Sequence, residues 1–446
     1  MHCPNCNHPL EEHDAQDIID ALEPEVKQDA PCKKKPKKKM YKPSWILIGM
    51  LAALLCAGII FVLANGSLHP KARNNLFENG LLPVYVTEGD VGGWGYVNKD
   101  GTLMIAADYE QALPFSHGLG AVCKDGKWGY VNKSGKMVID PTFDEAGSFS
   151  RNGLAPVRKG TLWGYVAKNG MMVVNPQFES ALPFGKESLA LVCRDGLYGY
   201  INSRGTYAIE PRFEAAGSFD AMGYAIVYAH GGWGMIDKQG EFVITPQFDA
   251  LFDFSSNGVA LVRKDGKFGY INRDGLYVIE PTYVYAEAFA ENGLAMVVNT
   301  DGLAGYINKH GVYKIAPDFC DARSFVGGVA AVCTNAEANT WQYINRKGEL
   351  LTDKNYTLAD SAEAGLSLVQ YGNVYAYVNK KGEEVITLGE NVIGRRFHTD
   401  GYAVVVNYPT DGSDYTFSIL NKKGEVICTV NAVSLSALYH GAEIYK

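Results

Sequence analysis

WGYVNKSGKMVIDPTFDEAGSFSRNGLAPVRKGTL, Trp128 to Leu162, is one unit of a repeat: at Trp163 the same pattern starts again. Trp94-Gly95, Trp128-Gly129, Trp163-Gly164, Tyr198-Gly199, Trp233-Gly234 and Phe268-Gly269 head six consecutive copies about 35 residues apart. A fixed period of this size marks a tandem array of small units, none of which buries its apolar face alone. Within the unit, WGYVN and KMVI are short alternating runs rich in β-branched and aromatic residues, and they read as strands. Between them, Asn132-Lys133-Ser134-Gly135 suits a type I turn closed by a left-handed glycine. Proline cannot donate to a ladder, so Pro141 and its counterparts Pro176, Pro211, Pro246, Pro281 and Pro317 are expected to end the second strand. A loop follows with two aromatic anchors, Phe143 and Phe149 in this copy. Gly153-Leu154-Ala155-Pro156-Val157 then forms a third strand. Alternation places Trp128 and Tyr130 on one face and Gly129 on the other, where the missing side chain leaves a notch for a neighbouring backbone.

Later copies decay. Ala304-Gly305-Tyr306 keeps the glycine, whereas Trp341-Gln342-Tyr343, Tyr375-Ala376-Tyr377 and Phe417-Ser418-Ile419 lose both the glycine and the Ile-x-Pro ending. The count is about ten, and the expected fold is all-β: three-stranded antiparallel repeats of about 35 residues over 77–446. An open curved solenoid is the first expectation, because ten exceeds the usual four to eight propeller blades. A closed β-propeller is the alternative.

The chain resembles the bacterial WG-repeat (KWG-repeat) proteins over about residues 77–430, on the strength of these aromatic-Gly copies in fixed order and spacing. The resemblance implies a β-repeat array and no particular activity.

Ahead of the repeats, Trp45 to Ala64 carries no charge. As a helix it would be about 30 Å long, enough to cross a bilayer core. A transmembrane helix over 45–65 is therefore expected. Lys33, Lys34, Lys35, Lys37, Lys38, Lys39 and Lys42 crowd its N-terminal side and place that side in the cytoplasm, with the repeat array outside. Residues 11–44 form an acidic, then lysine-rich, linker. Residues 1–10 begin MHCPNCNH, a zinc-ribbon-like knuckle in which Cys3 and Cys6 have the spacing of two thiolate ligands. A zinc site would take Cys32 and one of His8 or His13 as further ligands, because two thiolates alone do not make a structural site.

Charge narrows the partners. Lysines and acidic residues balance over 1–44, so the net charge of −8 falls on the part beyond the hydrophobic segment. An acidic array argues against nucleic acid as a partner. No G-x-S-x-G, H-E-x-x-H or phosphate-loop pattern occurs, and the expectation is that this is not an enzyme. The candidate binding residues are the regularly spaced rings Trp94, Trp128, Trp163, Tyr198, Trp233 and Phe268, which could stack on sugar faces or, in the simpler reading, fill the seams between units. The acidic residue after the loop aromatic (Glu110, Asp144, Glu179, Glu214, Asp249) is expected to cap its own loop. Cys123, Cys193 and Cys333 share one phase of the repeat; disulfides are possible outside the membrane, but with Cys320 and Cys428 the five cysteines beyond the hydrophobic segment cannot all pair, and reduced, partly buried thiols are the expectation. The functional expectation is an anchored module binding a protein or cell-wall polysaccharide outside the cell. A structural spacer and a transmembrane sensor are the other readings.

Overall fold

The computed structural model describes residues 75–88, 91–362, 364–408 and 416–431. Cys3, Cys6, Cys32, the linker and the segment 45–65 lie outside the described residues. Among those described, no helix is long and apolar enough to cross a membrane. They form ten small antiparallel sheets in chain order. In the second, the strands Gln111–Ala112, Leu119–Lys124, Lys127–Asn132 and Met137–Phe143 lie side by side in that order. Most of the others repeat it. The first sheet has three strands, Leu81–Glu88, Val91–Asn98 and Leu103–Tyr109.

The expected unit of three strands and a loop is thus corrected to a four-stranded blade. The stretch expected to be loop holds a two-residue strand, as where Glu145 and Ala146 pair with Arg158 and Val157 of the next sheet. So short a strand leaves no periodic signal. The proline expectation is corrected as well. Met137–Phe143 runs straight through Pro141. Trp128 pairs with Phe143 and Tyr130 with Ile139, so Asp140, Pro141 and Thr142 bulge outward opposite Gly129. The bulge sits on the last strand of its sheet, where proline's missing N–H breaks no ladder.

That bulge explains the glycine. A Cβ on Gly129 would stand 2.5 Å from the Ile139 carbonyl oxygen and 2.8 Å from Pro141 N. Gly164, Gly199, Gly234 and Gly269 meet the same backbone in their own blades. Where the bulge is missing, the glycine is too. Ala376 pairs directly with Thr387, and Ser418 with Thr429. The joint loss of Gly and Ile-x-Pro in late copies is therefore one structural change.

The core decides between solenoid and propeller. Apolar clusters straddle neighbouring blades. One joins Tyr130, Ile139 and Phe143 of the second blade to Phe149, Ala155 and Val166 of the third. Ten such clusters exist, and a row of ten blades has only nine internal seams. The tenth joins Phe77, Leu82, Val84 and Val97 at the start to Val404, Val406, Phe417 and Ile419 at the end. Phe77 N donates to Asp400 Oδ2 at 2.9 Å, and the Phe77 and Tyr402 rings meet at 4.8 Å. The array closes as a ten-bladed β-propeller, which replaces the expected open solenoid. Among the described residues the ring closes by side-chain packing, without a strand from one end completing the sheet of the other.

Candidate functional site

Eight of the ten blades grip the next through one tyrosine. Tyr130 is buried, its hydroxyl donates to the Gly147 carbonyl of the following blade at 2.8 Å, and its ring meets Phe149 at 4.7 Å nearly edge-on. Tyr165 repeats this with Leu182 O and Phe184, and Tyr200 with Gly217 O and Phe219. Tyr270 and Tyr306 do likewise with the Glu287 and Arg323 carbonyls. Burial alone pushes the hydroxyls of Tyr165 and Tyr200 far above their usual range, so they stay protonated donors. In the fifth blade Met235 stands in this position. There the next first strand lengthens to Ala250–Phe254, and Leu251 joins the same apolar cluster as Met235.

The aromatic heads of the repeat sit one step from these tyrosines. Trp94 and Trp233 are buried, while Trp128, Trp163, Tyr198 and Phe268 are half-buried. Each packs on a seam cluster. Tyr85 meets Trp94 at 5.7 Å, Tyr228 meets Trp233 at 5.2 Å, and Tyr285 meets Phe268 at 5.7 Å, all at steep angles. These rings pack against the protein itself, two of them fully and four in part.

Four of the five recurrent carboxylates, Glu214 being the exception, are turn caps, but for a turn the spacing did not indicate. Glu110 accepts from Gly126 N at 3.0 Å, Asp144 from Gly160 N at 2.6 Å, Glu179 from Gly196 N at 3.1 Å and Asp249 from Gly266 N at 3.1 Å. Each thus caps the hairpin between the second and third strands of the blade it leads into. Lys127 joins Asp144 at 2.5 Å and, with the Gly160 amide, holds that carboxyl below its usual range. Among the described residues no group of three or more His, Cys, Asp or Glu could hold a metal ion.

The thiols lie beside these caps. Cys123 Sγ donates to Glu110 Oε2 at 3.6 Å and Cys193 Sγ to Glu179 Oε2 at 3.5 Å. Burial, with the carboxylate adding to it, pushes both thiols up to about 11. They are weak nucleophiles at neutral pH.

Antiparallel order puts the first-to-second loops and the third-to-fourth turns at one end of every blade, and the capped hairpins at the other. At the first end, a basic residue recurs two positions before the glycine of the third-to-fourth turn, as in Ala167-Lys168-Asn169-Gly170, Asp237-Lys238-Gln239-Gly240 and Asn272-Arg273-Asp274-Gly275. Lys168 Nζ donates to His117 O of the preceding blade at 2.6 Å, Lys238 pairs with Glu187 of the preceding blade, and the Arg273 guanidinium lies 5.3 Å from the Phe254 ring. These cations strap the loops together.

One regular feature is left without a partner. On the fourth strand, Ile139 turns inward while Val138 faces solvent. The same register carries Met104, Val138, Val173, Val243 and Val278, which are 49%, 41%, 43%, 38% and 39% exposed. Ala208 holds the place in the fourth blade, exposed Lys314 in the seventh and Val385 in the ninth. The sequence signal was present: an unbroken apolar run such as Met137-Val138-Ile139 cannot bury both faces of an edge strand.

The pattern of the WG-containing repeat matches at residues 94–128, 128–161, 163–198, 198–231, 233–268, 268–302, 305–337 and 341–375. The chain belongs to the WG-containing repeat family. The matches stop at 375, one copy beyond the last Gly–Pro pair, Gly305 and Pro317. No curated protein matches the chain. Among solved structures, it is similar to a eukaryotic initiation factor, at 10% identity and a TM-score of 0.42, with 79% of this chain and 96% of that one covered. It is also similar to BamB from Moraxella catarrhalis, at 13% identity and a TM-score of 0.31, covering 72% and 96%. Hsv2p of Kluyveromyces lactis matches at 13% identity and a TM-score of 0.33, covering 54% and 92%. With scores this low, none of the three carries an argument about this WG-repeat chain.

Proposed function

We propose that this WG-repeat propeller is a non-enzymatic binding module, anchored by the segment Trp45 to Ala64 outside the cytoplasmic membrane, that docks a protein partner along its fourth-strand edges. The observation that carries this reading is the exposed aliphatic stripe of Met104, Val138, Val173, Val243 and Val278. The stripe runs from blade to blade along one register, broken by Ala208 and Lys314, and exposed apolar surface of this kind is what a protein partner would cover. The repeat's other recurring groups are consumed: tyrosines by neighbouring carbonyls, carboxylates by turn amides, basic side chains by loops. A stripe of valines suits a protein surface better than a sugar, which prefers the flat face of an aromatic ring. The half-buried rings of Trp128 and Trp163 therefore support a polysaccharide partner less well.

The test places a photo-crosslinking residue at Val173 in the full chain in intact cells. A crosslinked protein partner whose capture is lost with Val138→Glu, Val243→Glu and Val278→Glu together supports the proposal. Retention of the chain on isolated wall polysaccharide, undiminished by those substitutions and with no crosslinked protein, refutes it.

A further inference from the structure

We infer that Cys320 and Cys333 are a redox pair that closes into a disulfide within the eighth blade. The argument begins with repeat equivalence. Cys333 occupies the position of Cys123 and Cys193, directly across from the ring of its blade: Trp341 for Cys333, Trp128 for Cys123 and Tyr198 for Cys193. Cys320 follows Phe319 as Glu110 follows Tyr109 and Glu179 follows Phe178, so it stands where the other two thiols find a carboxylate. In those blades the two side chains touch, with thiol-to-carboxylate distances of 3.6 and 3.5 Å. In the eighth blade both partners are cysteines.

The backbone supports the match. Cys320 N donates to the Cys333 carbonyl at 3.0 Å, as Glu110 N and Glu179 N donate to Cys123 O and Cys193 O at 2.9 Å. Asp321 is the paired neighbour of Cys333 and Cys320 precedes it; in the second and fourth blades the side chain at the place of Cys320 nonetheless reaches the thiol. A disulfide needs Cα atoms roughly 4.4–6.8 Å apart.

Location gives the pair a purpose. The eighth sheet has three strands, Asp321–Ala322, Val329–Asn335 and Thr340–Asn345. Beyond them Leu350 and Tyr356 make only isolated bridges to Ile344 and Trp341. This is also the first blade to lose its aromatic-Gly glycine, to Gln342. A bond from Cys320 to Cys333 ties the short first strand to the second in the blade that lacks a fourth.

The chemistry needs a disulfide oxidant, of the glutathione disulfide or thiol oxidoreductase class. Cys320 is half-buried and Cys333 buried, so Cys320 is the one that meets the oxidant. Its thiolate attacks one sulfur of the oxidant and expels the other as a thiol. The Cys333 thiolate then attacks the Cys320 sulfur and expels the second thiol. One sulfur–sulfur bond breaks and one forms, and two electrons and two protons pass from the protein to the oxidant.

The full chain is incubated with glutathione disulfide, denatured, blocked with N-ethylmaleimide and mapped by mass spectrometry without reduction. The expected product is a peptide pair joined through Cys320 and Cys333, with Cys123 and Cys193 carrying maleimide. In Cys320→Glu, which restores the carboxylate of the second and fourth blades, the joined pair is absent and oxidation no longer shifts the thermal unfolding midpoint. Maleimide on both Cys320 and Cys333 in the wild type, or glutathione on Cys320 with Cys333 blocked, overturns the inference.

Discussion

Substituting Gly164 by alanine tests the claim that the aromatic-Gly glycine exists to admit the proline bulge. The added Cβ would lie 2.4 Å from the Val174 carbonyl oxygen, 2.8 Å from Pro176 N and 2.9 Å from the Asn175 carbonyl carbon. An ordinary carbon–oxygen contact is about 3.3 Å, so one strand must retreat by about 0.9 Å. The obstacle is backbone on both sides, and no side chain can swing away. Forcing extra atoms into a packed site costs about 1–3 kcal/mol, and rigid surroundings place this substitution near the top of that range. Alanine also restricts the unfolded chain, which offsets about 0.4–1 kcal/mol. The expected net loss is about 2 kcal/mol. Gly217→Ala is the control: its Cβ would meet nothing nearer than the Ile226 carbonyl oxygen at 3.6 Å. It should be neutral or stabilise by about 0.5 kcal/mol. Guanidinium unfolding followed by tryptophan fluorescence reads both, and Trp163 lies beside the first site. If the two variants unfold within about 0.5 kcal/mol of each other, the bulge does not require the glycine and the account of repeat decay fails with it.

Two further outcomes follow from the seams. Tyr200→Phe removes the hydroxyl that donates to Gly217 O at 2.6 Å while keeping the contact with Phe219, so denaturant unfolding should register a loss of about 0.5–1.5 kcal/mol. At the closing seam, burial holds His398 below its usual range, against the opposing pull of Asp400, which accepts from Phe77 N. Its folded pKa is thus depressed, and the unfolded chain takes up the proton first. Stability should be complete above the unfolded value of about 6.5 and fall as pH drops below it toward the folded value. Thermal unfolding between pH 7 and 5 checks this, and His398→Gln should flatten that part of the profile; an unchanged profile would discard His398 as the group responsible.

Much of this propeller was legible before any coordinates. The strand runs around Trp128 and Met137, the left-handed Gly135 at φ 78° and the inward tyrosines all carry local periodicity or turn chemistry. The notch at Gly129 was legible too, though not what fills it. The carboxylates were read correctly as caps, but Asp144 bonds Gly160 across the next hairpin, a partner that only the pairing of strands brings near. The short first strand was missed because Glu145–Ala146 is too short for alternation to register, and the fourth was cut short because Pro141 reads as a stop unless its strand is known to be an edge. The exposed valines were missed for the same reason: exposure of Val138 depends on which strand lies outermost.

The amino-acid sequence by itself determined the repeat, its length, its strands and the burial of its rings, because each is written in residue spacing within one unit. Tertiary structure alone decided that the array closes. Closure depends on a rotation of about 36° between successive blades, accumulated ten times. At most seams a Tyr130-type ring seats on a Phe149-type ring, and no spacing along the chain encodes the rotation that such packing produces. Only when Phe77 meets Tyr402 does the sum of those small rotations become a ring.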